Sequence, residues 1–443
     1  MRRILLQTSQ VSLEQEQFRA AMEGISMEEE QIMIDEAQAD AVSADQELAE
    51  AERIIEVSDA LEDLAVVADS IEEASPAETA LVEIAGDMAV AGTDIQPEEI
   101  VPAMESYLGK RISTEGIRET AKNIWESIQR FLKQVWEKIE NFFYKIFGTI
   151  PALRRKLADL EAKVEDAVGR KPEGKVQLTN GVTQLSVSYV APKNEQDIAK
   201  ALDAMSTAAK YVFGNYVDSV SKRGEIIAKA INDFDPTKAD EAVKSLRSDL
   251  KSVKPDQVPG AGSTDTGRYP GFSTTLGTPL PGNVSLGCKF YTDNKSDESD
   301  LGALDRYRNS RCELMPTSEK AKEGAREVEI TPITTNGAKS MIKDCEKLLD
   351  ILEEYKRGSK SKSIAKTQKT IEQASDKAAK AMANADKGDE GQKAAVPHYR
   401  ALLNFNAAYA RWAQTPAVPM VSHSLTTIRA VMVTIQKSLA AYK

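Results

Sequence analysis

The chain has 443 residues, a formal net charge of −12, and 41% apolar but only 6% aromatic side chains. This length allows two to three domains, and the composition favours a helical core packed through Ala, Leu, Ile and Val. Three widely spaced cysteines and two histidines argue against a disulfide framework, a thiolate zinc site and histidine-based catalysis. We therefore expect Cys288, Cys312 and Cys345 to be buried or idle thiols in a reducing compartment.

The start of the chain lacks an export signal. Its first apolar run, Ile4-Leu5-Leu6, has three residues, whereas a signal peptide needs about 7–15. No stretch reaches the roughly 18 uninterrupted apolar residues of a spanning helix. We expect a protein that begins soluble and intracellular.

Charge divides the chain into two parts. Residues 1–115 contain 6 Lys/Arg and 28 Asp/Glu, a net charge of −22, whereas residues 116–443 contain 51 and 41, a net charge of +10. Two parts of opposite net charge indicate that they face different environments or bind different partners. The sequence predicts an acidic propeptide over 1–115, helical or disordered. An acidic solvated helix pair attached to an ordinary domain is the alternative.

The boundary between the two parts has the character of a cleavage site. The segment Ser113-Thr114-Glu115-Gly116 follows the basic pair Lys110-Arg111. Small and hydroxyl side chains suit an extended substrate groove, and Gly116 leaves the peptide bond unobstructed. We predict cleavage after Glu115.

The most regular amphipathic stretch follows at 117–147, with apolar residues at alternating spacings of three and four. Burial of one large apolar side chain contributes roughly 1.5–3 kcal/mol, so this face must be covered. Core packing is the favoured cover; a membrane surface and self-association are the alternatives. Gly148 is expected to end the helix, and Pro151 to start a second one, making a helical hairpin over 116–170. The face consists of Trp125, Ile128, Leu132, Val135, Trp136, Ile139, Phe142 and Phe143.

Residues 171–333 form a predicted α+β region. Asn180-Gly181 between apolar runs indicates a β-hairpin with a type I′ turn, and residues 193–252 indicate helices. The Pro/Gly-rich segment 254–283 indicates a long ordered loop or linker. Strands are predicted at 284–292 and 326–331, which with the hairpin would form a small antiparallel sheet.

Residues 334–443 form a predicted C-terminal helical bundle. Helices are expected at about 335–357, 362–386, 393–414 and 420–442. The predicted fold class is mainly α: antiparallel helix bundles with a small antiparallel β insertion, preceded by the acidic propeptide.

Motifs for catalysis are absent from the sequence. We find no phosphate loop, nucleophile elbow or metal-binding signature, and therefore predict no enzyme, cofactor or metal. The segment Asp297-Glu298-Ser299-Asp300 suits a hard cation but is better interpreted as a solvated acidic turn. Candidate contacts to DNA phosphates are Lys356, Arg357, Lys360 and Lys362; a solvated lysine face is the alternative.

At the junction the chain resembles a known family. Ser113-Thr114-Glu115 resembles the small-x-Glu recognition sequence of the prohead proteases of giant tailed bacteriophages. The run from Asn123-Ile124-Trp125-Glu126 to Lys145-Ile146-Phe147 resembles the start of the mature part of their internal head, or inner body, proteins. The ending, from Trp412-Ala413-Gln414 to Tyr442-Lys443, is similar to the close of that family.

The resemblance implies a structural virion protein inside the capsid. Its propeptide would be removed by the prohead protease after Glu115, and its basic mature part would be packed with DNA. Other head proteins or scaffold would be partners, and the host cytoplasm its location before assembly. The alternatives are an ejected membrane-interacting protein using the 117–147 helix and a non-catalytic helical adaptor. The same triplet type recurs at Ala21-Met22-Glu23, Ser26-Met27-Glu28, Ala60-Leu61-Glu62 and Ser296-Asp297-Glu298, so the position at the charge boundary distinguishes Glu115.

Overall fold

The computed structural model describes residues 143, 147–179, 181–253, 258–261, 263–265, 271–293, 298–317, 325, 327–385 and 394–442. These residues form a mainly helical body with few antiparallel strands, as the sequence predicts. The strands form two small sheets, and the predicted strands at 284–292 and 326–331 fall in different ones, so the expectation of one shared sheet is wrong. The acidic segment 1–115 and the first part of the amphipathic stretch lie outside the described residues.

The helices, in chain order, are α1 (147–166), α2 (Val182–Leu185), α3 (Glu195–Tyr211), α4 (Val217–Asn232), α5 (Ala239–Ser252), α6 (Asp300–Arg308), α7 (Thr335–Arg357), α8 (Ser359–Ala385), α9 (Val396–Leu403), α10 (Phe405–Gln414) and α11 (Ala417–Leu439). A π-helical turn, Val212–Tyr216, joins α3 to α4, and a 3-10 turn, Pro236–Lys238, precedes α5. The strands are β1 (Val176–Leu178), β2 (Ser263–Asp265), β3 (Phe272–Leu280), β4 (Val284–Tyr291), β5 (Arg311–Pro316) and β6 (Val328–Ile330).

Two long helical rods run side by side in the same direction. One rod is α3, the π-turn and α4; the other is α7 and α8. Lys360 pairs with Asp218, and Ser363 Oγ donates to Ser221 Oγ at 3.2 Å, with 142 residues separating each pair. A constant separation shows that the rods are parallel and in register. The chain between them must therefore return to the starting end, and α5, the larger sheet and α6 lie on this return.

Helix α1 runs antiparallel to α7. Glu165 near its end pairs with Lys339 at 2.6 Å, and Arg154 earlier in the helix pairs with Asp350 at 2.5 Å. Later positions in α1 thus pair with earlier positions in α7, as in an antiparallel arrangement. The helix is held by its apolar face, because Leu157 and its neighbours at helical spacing are buried.

The segment α9–α10–α11 also runs against the rods. Asn406 Oδ1 accepts from Gln368 Nε2 at 3.0 Å, while Tyr409 Oη, further along, donates to the carbonyl of Ile364 at 3.3 Å. At the far end, Tyr442 Oη donates to the carbonyl of Ile333 at 2.9 Å, just before α7 begins. The predicted antiparallel bundle is therefore present, but it is built on a parallel central pair.

Both rods are interrupted at the same level. The π-turn contains Gly214, and Gly358 separates α7 from α8. At this level the rings of Phe213 and Tyr355 lie 4.6 Å apart. A π-turn inserts one residue into a helix, and the two rods stay in contact across this interruption.

The larger sheet has the antiparallel order β2-β3-β4-β5. In the β4–β5 register Cys288 lies opposite Cys312, with Cα atoms 4.0 Å apart and the two sulfurs bonded. The expectation of idle thiols is therefore wrong for these two residues, because strand register, which spacing along the chain does not reveal, brings them together. Cys345 is a buried free thiol, and burial raises its pKa.

The Pro/Gly-rich segment 254–283 was expected to be a loop or linker, and this is wrong for 272–280, which forms β3. The register shifts between Leu276 and Pro279, so the proline lies at a bulge, where a strand tolerates it. A Cβ on Gly277 would lie 2.7 Å from Val258 Cγ1, so this glycine allows a close approach of chain segments.

The predicted hairpin at Asn180-Gly181 is also wrong. β1 pairs with β6, with Val176 opposite Ile330, and Val182–Leu185 is a helix. Gly181 has a φ of +79° but serves as the N-cap of α2, where its Cα faces Ala430. Burial of Val182 and Leu185 decides the outcome against the local turn signal. The predicted strands at 284–292 and 326–331 are confirmed, with slightly shorter bounds.

The predicted helix end at Gly148 is wrong, because residues 147–166 form one helix through Gly148 and Pro151. Phe147 and Ile150 are 5% and 0% exposed, so burial holds this turn helical despite both breakers. The other arm of the predicted hairpin lies outside the described residues except for Phe143 and Phe147.

Substitution of Gly224 by Ala should destabilise the bundle. The added Cβ would lie 2.4 Å from both Thr367 Cγ2 and Tyr409 Cε2, where α4, α8 and α10 meet. Overpacking costs about 1–3 kcal/mol, which exceeds the gain of up to about 1 kcal/mol from replacing a helical glycine. Urea denaturation of the full chain, followed by circular dichroism, measures this loss. Gly214→Ala is the control, since a Cβ added at Gly214 meets no neighbouring heavy atom within 4 Å. Equal stability of both variants would contradict the packing argument.

Candidate functional site

The predicted cleavage residues Ser113, Thr114, Glu115 and Gly116 lie outside the described residues. So do Trp125, Ile128, Leu132, Val135, Trp136, Ile139 and Phe142 of the predicted amphipathic face. The position of these residues stays a prediction.

Phe143 is the described member of that face, and it packs against protein. Its half-buried ring stacks on Phe147 at 5.6 Å and meets Tyr355 at 5.9 Å. Tyr355 in turn contacts Phe213 of the π-turn. Phe143 thus lies in an aromatic cluster at the level where both rods are interrupted.

Three of the four predicted DNA-contacting residues interact within the chain. Lys356 Nζ lies 5.4 Å from the centroid of the Phe147 ring, and burial lowers the pKa of Lys356. Arg357 pairs with Glu353 at 3.5 Å, and Lys360 pairs with Asp218. These contacts lie at the junction of α7 and α8. The Arg357 side chain is 77% exposed, and a DNA contact for these three residues stays a prediction.

Lys362, the fourth, belongs to a different surface. It is exposed and lies on the outer side of α8 together with four further exposed lysines: Lys366, Lys369, Lys377 and Lys380. The sequence shows these lysines as part of a basic region. Their common orientation follows from which side of α8 the fold buries.

The acidic segment before α6 is used in ion pairs. Arg247 donates to Asp300 Oδ1 at 2.8 Å and forms a two-pronged pair with Asp293. Glu298 pairs with Arg306 and accepts from Tyr291. This arrangement is structural, and its carboxylates are already neutralised. Among the described residues, no group of three or more His, Cys, Asp or Glu could hold a metal ion.

Arg223 of α4 is a buried arginine, with 6% of its surface exposed. Its guanidinium lies between the rings of Phe290 and Trp412, 5.2 Å from each centroid. It donates to the carbonyl of Val253 at 3.4 Å. Cation–π contacts strengthen when desolvated, so Arg223 joins α4 to β4, α10 and the end of α5.

The two histidines are structural. His398 Nε2 lies 2.9 Å from Asp240 Oδ1. His423 Nε2 lies 2.6 Å from the carbonyl of Pro281, and burial lowers the pKa of His423. A neutral ring that donates to this carbonyl fits both facts.

A groove of about 330 Å³ lies between α3 and β3. Its rim carries Lys200 and Asp203 on one side and Thr278 on the other. One opposite pair of charges and a hydroxyl do not define a ligand. We assign no binding role to this groove.

One helical run within the described residues, Val396–Leu439, has the length and composition to cross a membrane. Its most apolar stretch is 67% buried inside the body, as in the core helix of a bundle. The run therefore carries no membrane assignment.

The described residues define a class: a helical body whose buried charges are structural and whose distinctive exposed feature is a lysine-rich helix face. The chain belongs to the phiKZ-like phage internal head proteins, whose family model matches residues 27–433. It is therefore an internal head protein of a phage, located inside the virion head, and the resemblance noted in the sequence is confirmed. No curated protein and no solved structure matches the chain.

Asp293→Asn should strongly destabilise the protein. The Asp293 side chain is 2% exposed, and the guanidinium of Arg247 holds the pKa of its carboxyl below the usual value. Breaking a buried pair from one side costs about 3–5 kcal/mol. The stability difference should be present above pH about 4, the ordinary carboxyl pKa, and should shrink as pH falls and Asp293 becomes protonated. Urea denaturation at pH 7 and pH 3 measures it.

Asp305→Asn is the matched control for this network. Asp305 pairs with Arg308 but its side chain is 54% exposed, so the change should stay below about 1 kcal/mol. Similar losses for the two variants would show that the Asp293 network is not the stabilising element.

His423→Gln should reduce the acid sensitivity of the fold. Because burial lowers the pKa of His423, the unfolded chain binds a proton before the folded protein does. Wild-type stability should therefore fall as pH drops below about 6.5, by at most about 1.4 kcal/mol per pH unit for this proton. Thermal unfolding of both proteins between pH 7 and 5 measures the difference. Parallel profiles would exclude His423 as the titrating group.

Proposed function

We propose that this internal head protein is made in the host cytoplasm as a precursor and is cleaved by a prohead protease after Glu115. The mature body, 116–443, is then packed with DNA and acts without catalysis. The observation that carries the proposal is the charge boundary: −22 before the junction and +10 after it. A body of net positive charge binds DNA phosphates, whereas the intact precursor, at −12, is repelled.

The fold engages two of the similar triplets in the body. Glu298 of Ser296-Asp297-Glu298 is engaged by Arg306 and Tyr291, and its side chain is 13% exposed. Glu241 of Ala239-Asp240-Glu241 lies in the first turn of α5, and a protease that binds its substrate in extended form does not accept a helical segment. The body has further triplets of this type, among them Ala321-Lys322-Glu323 and Gly388-Asp389-Glu390, so the position at the charge boundary is what distinguishes Glu115.

The acidic propeptide has a separate proposed role. With 28 carboxylates against 6 basic residues, it keeps the precursor away from nucleic acid and suits basic surfaces on scaffold or other head proteins. Its removal changes the sign of the net charge. Assembly and DNA packing would thus follow in that order.

The amphipathic stretch is assigned to protein packing. Near its C-terminal end, Phe143 contacts Tyr355 and Phe147. An interfacial membrane helix needs its apolar face free to enter lipid. This contact favours the internal head role over an ejected membrane-binding protein.

The N-terminus of the protein in purified virions tests the proposal. Peptide mass spectrometry should find a terminus at Gly116, no abundant peptides from 1–115, and uncut peptides spanning Glu241 and Glu298. Abundant 1–115 peptides in wild-type virions would reject the processing step.

Glu115→Gln in the phage should block the cut and leave the acidic propeptide on the virion protein, because the recognised carboxylate is lost. Glu62→Gln is the matched control: it removes the same residue type from Ala60-Leu61-Glu62, away from the boundary. Cleavage at Gly116 should persist in this control.

A further inference from the structure

One side of α8 is a continuous lysine face, which consists of Lys362, Lys366, Lys369, Lys377 and Lys380. All five residues are exposed. At about 100° per residue they occupy a sector of roughly 80°, opposite the buried residues of the helix. Ile371 and Ala378, at 0% and 5% exposure, mark that buried side. We propose that the lysine face is the surface through which the mature protein binds the backbone of duplex DNA without reading its sequence. This inference rests on the proposed packing with DNA and names the surface responsible.

The lysine face is not used for internal contacts. Among the residues that the structure describes, none of its five ammonium groups forms a salt bridge, in contrast to Lys360 with Asp218 and Arg357 with Glu353. Asp376, an exposed acid on the described part of α8, lies toward the edge of the sector. The face therefore keeps a strong positive excess.

Its dimensions fit a duplex. Lys362 and Lys380 are 18 positions apart, about 27 Å along a helix that rises 1.5 Å per residue. Double-stranded DNA carries one charge per about 1.7 Å, so a phosphate is available to each lysine along such a length. Lysine is a point charge on a flexible stem. The face carries no aromatic side chain to stack on bases, which predicts phosphate contacts alone.

A membrane surface fits less well. An interfacial helix needs its apolar side in lipid together with its basic side at the headgroups. The apolar side of α8 is already buried against α4 and α10. Thr367 Cγ2 would meet a Cβ on Gly224 at 2.4 Å, and Gln368 donates to Asn406 at 3.0 Å. These contacts also fix the rotation of α8, so the lysines are held outward before DNA arrives.

Formaldehyde crosslinking of intact virions tests the proposal on the protein as it exists. After nuclease and protease digestion, mass spectrometry maps the lysines that carry nucleotide adducts. Adducts should be several-fold enriched on the lysine face over exposed lysines elsewhere, namely Lys163, Lys171, Lys200, Lys210 and Lys343. An even spread, or enrichment on the comparison set, would overturn the assignment of the surface while leaving DNA packing intact. Absence of adducts on every lysine would reject DNA packing and this inference with it.

A pair of phage variants separates the surface from overall charge. One replaces the five residues of the lysine face by Gln, and the other replaces the five comparison lysines by Gln. For the protein isolated from virions, the slope of log binding constant against log salt should fall by up to about 4.5 in the first variant, at about 0.9 per phosphate contact. The second variant should keep the wild-type slope. Equal reductions would show that net charge alone governs binding, contrary to the proposal. If the first variant is not incorporated into heads, the wild-type crosslink map still decides.

Discussion

The in-register packing of two parallel helical rods is the constraint on which the rest of the fold depends. Neighbouring rods that point the same way cannot be joined by a short turn, so a long return must connect Asn232 to Thr335. That return carries α5, the four-stranded sheet and α6. The rods are also interrupted at one common level, where Phe213 meets Tyr355. Helix α1 and the C-terminal helices then fill the remaining grooves in the opposite direction.

Buried charges attach the return segment to a rod and also hold the return segment together. Arg223 on α4 lies between Phe290 of β4 and Trp412 of α10. Arg247 on α5 forms ion pairs with Asp293, which precedes α6, and with Asp300 at the start of α6. Apolar contact alone is not directional, whereas a guanidinium needs its partners at defined positions. These two arginines therefore define how the sheet sits on the helices, and Arg247 holds the carboxylates of Asp293 and Asp300 in ion pairs.

The candidate site was partly predictable. The sequence identifies the basic region after Tyr355 and the charge boundary at Glu115, since both are compositional. It does not separate Lys356, Arg357 and Lys360, which contact neighbours, from the lysines on the open side of α8. That distinction depends on which side of α8 is buried. α4 and α10 determine that side, and both are distant in the chain.

The sequence by itself determined the opposed charges of the two parts, the family resemblance, and the C-terminal helices, because these follow from local composition and helical spacing. Tertiary structure decided what depends on distant partners. The hairpin predicted at Asn180-Gly181 does not form, because β1 pairs with β6 and because Val182 and Leu185 are buried in a helix. Burial likewise kept the helix continuous through Gly148, and a bulge admitted Pro279 into β3. Cys288 and Cys312 met only through strand register. In each case burial or pairing with residues distant in the chain outweighed the local preference, which is why local sequence could not reveal the outcome.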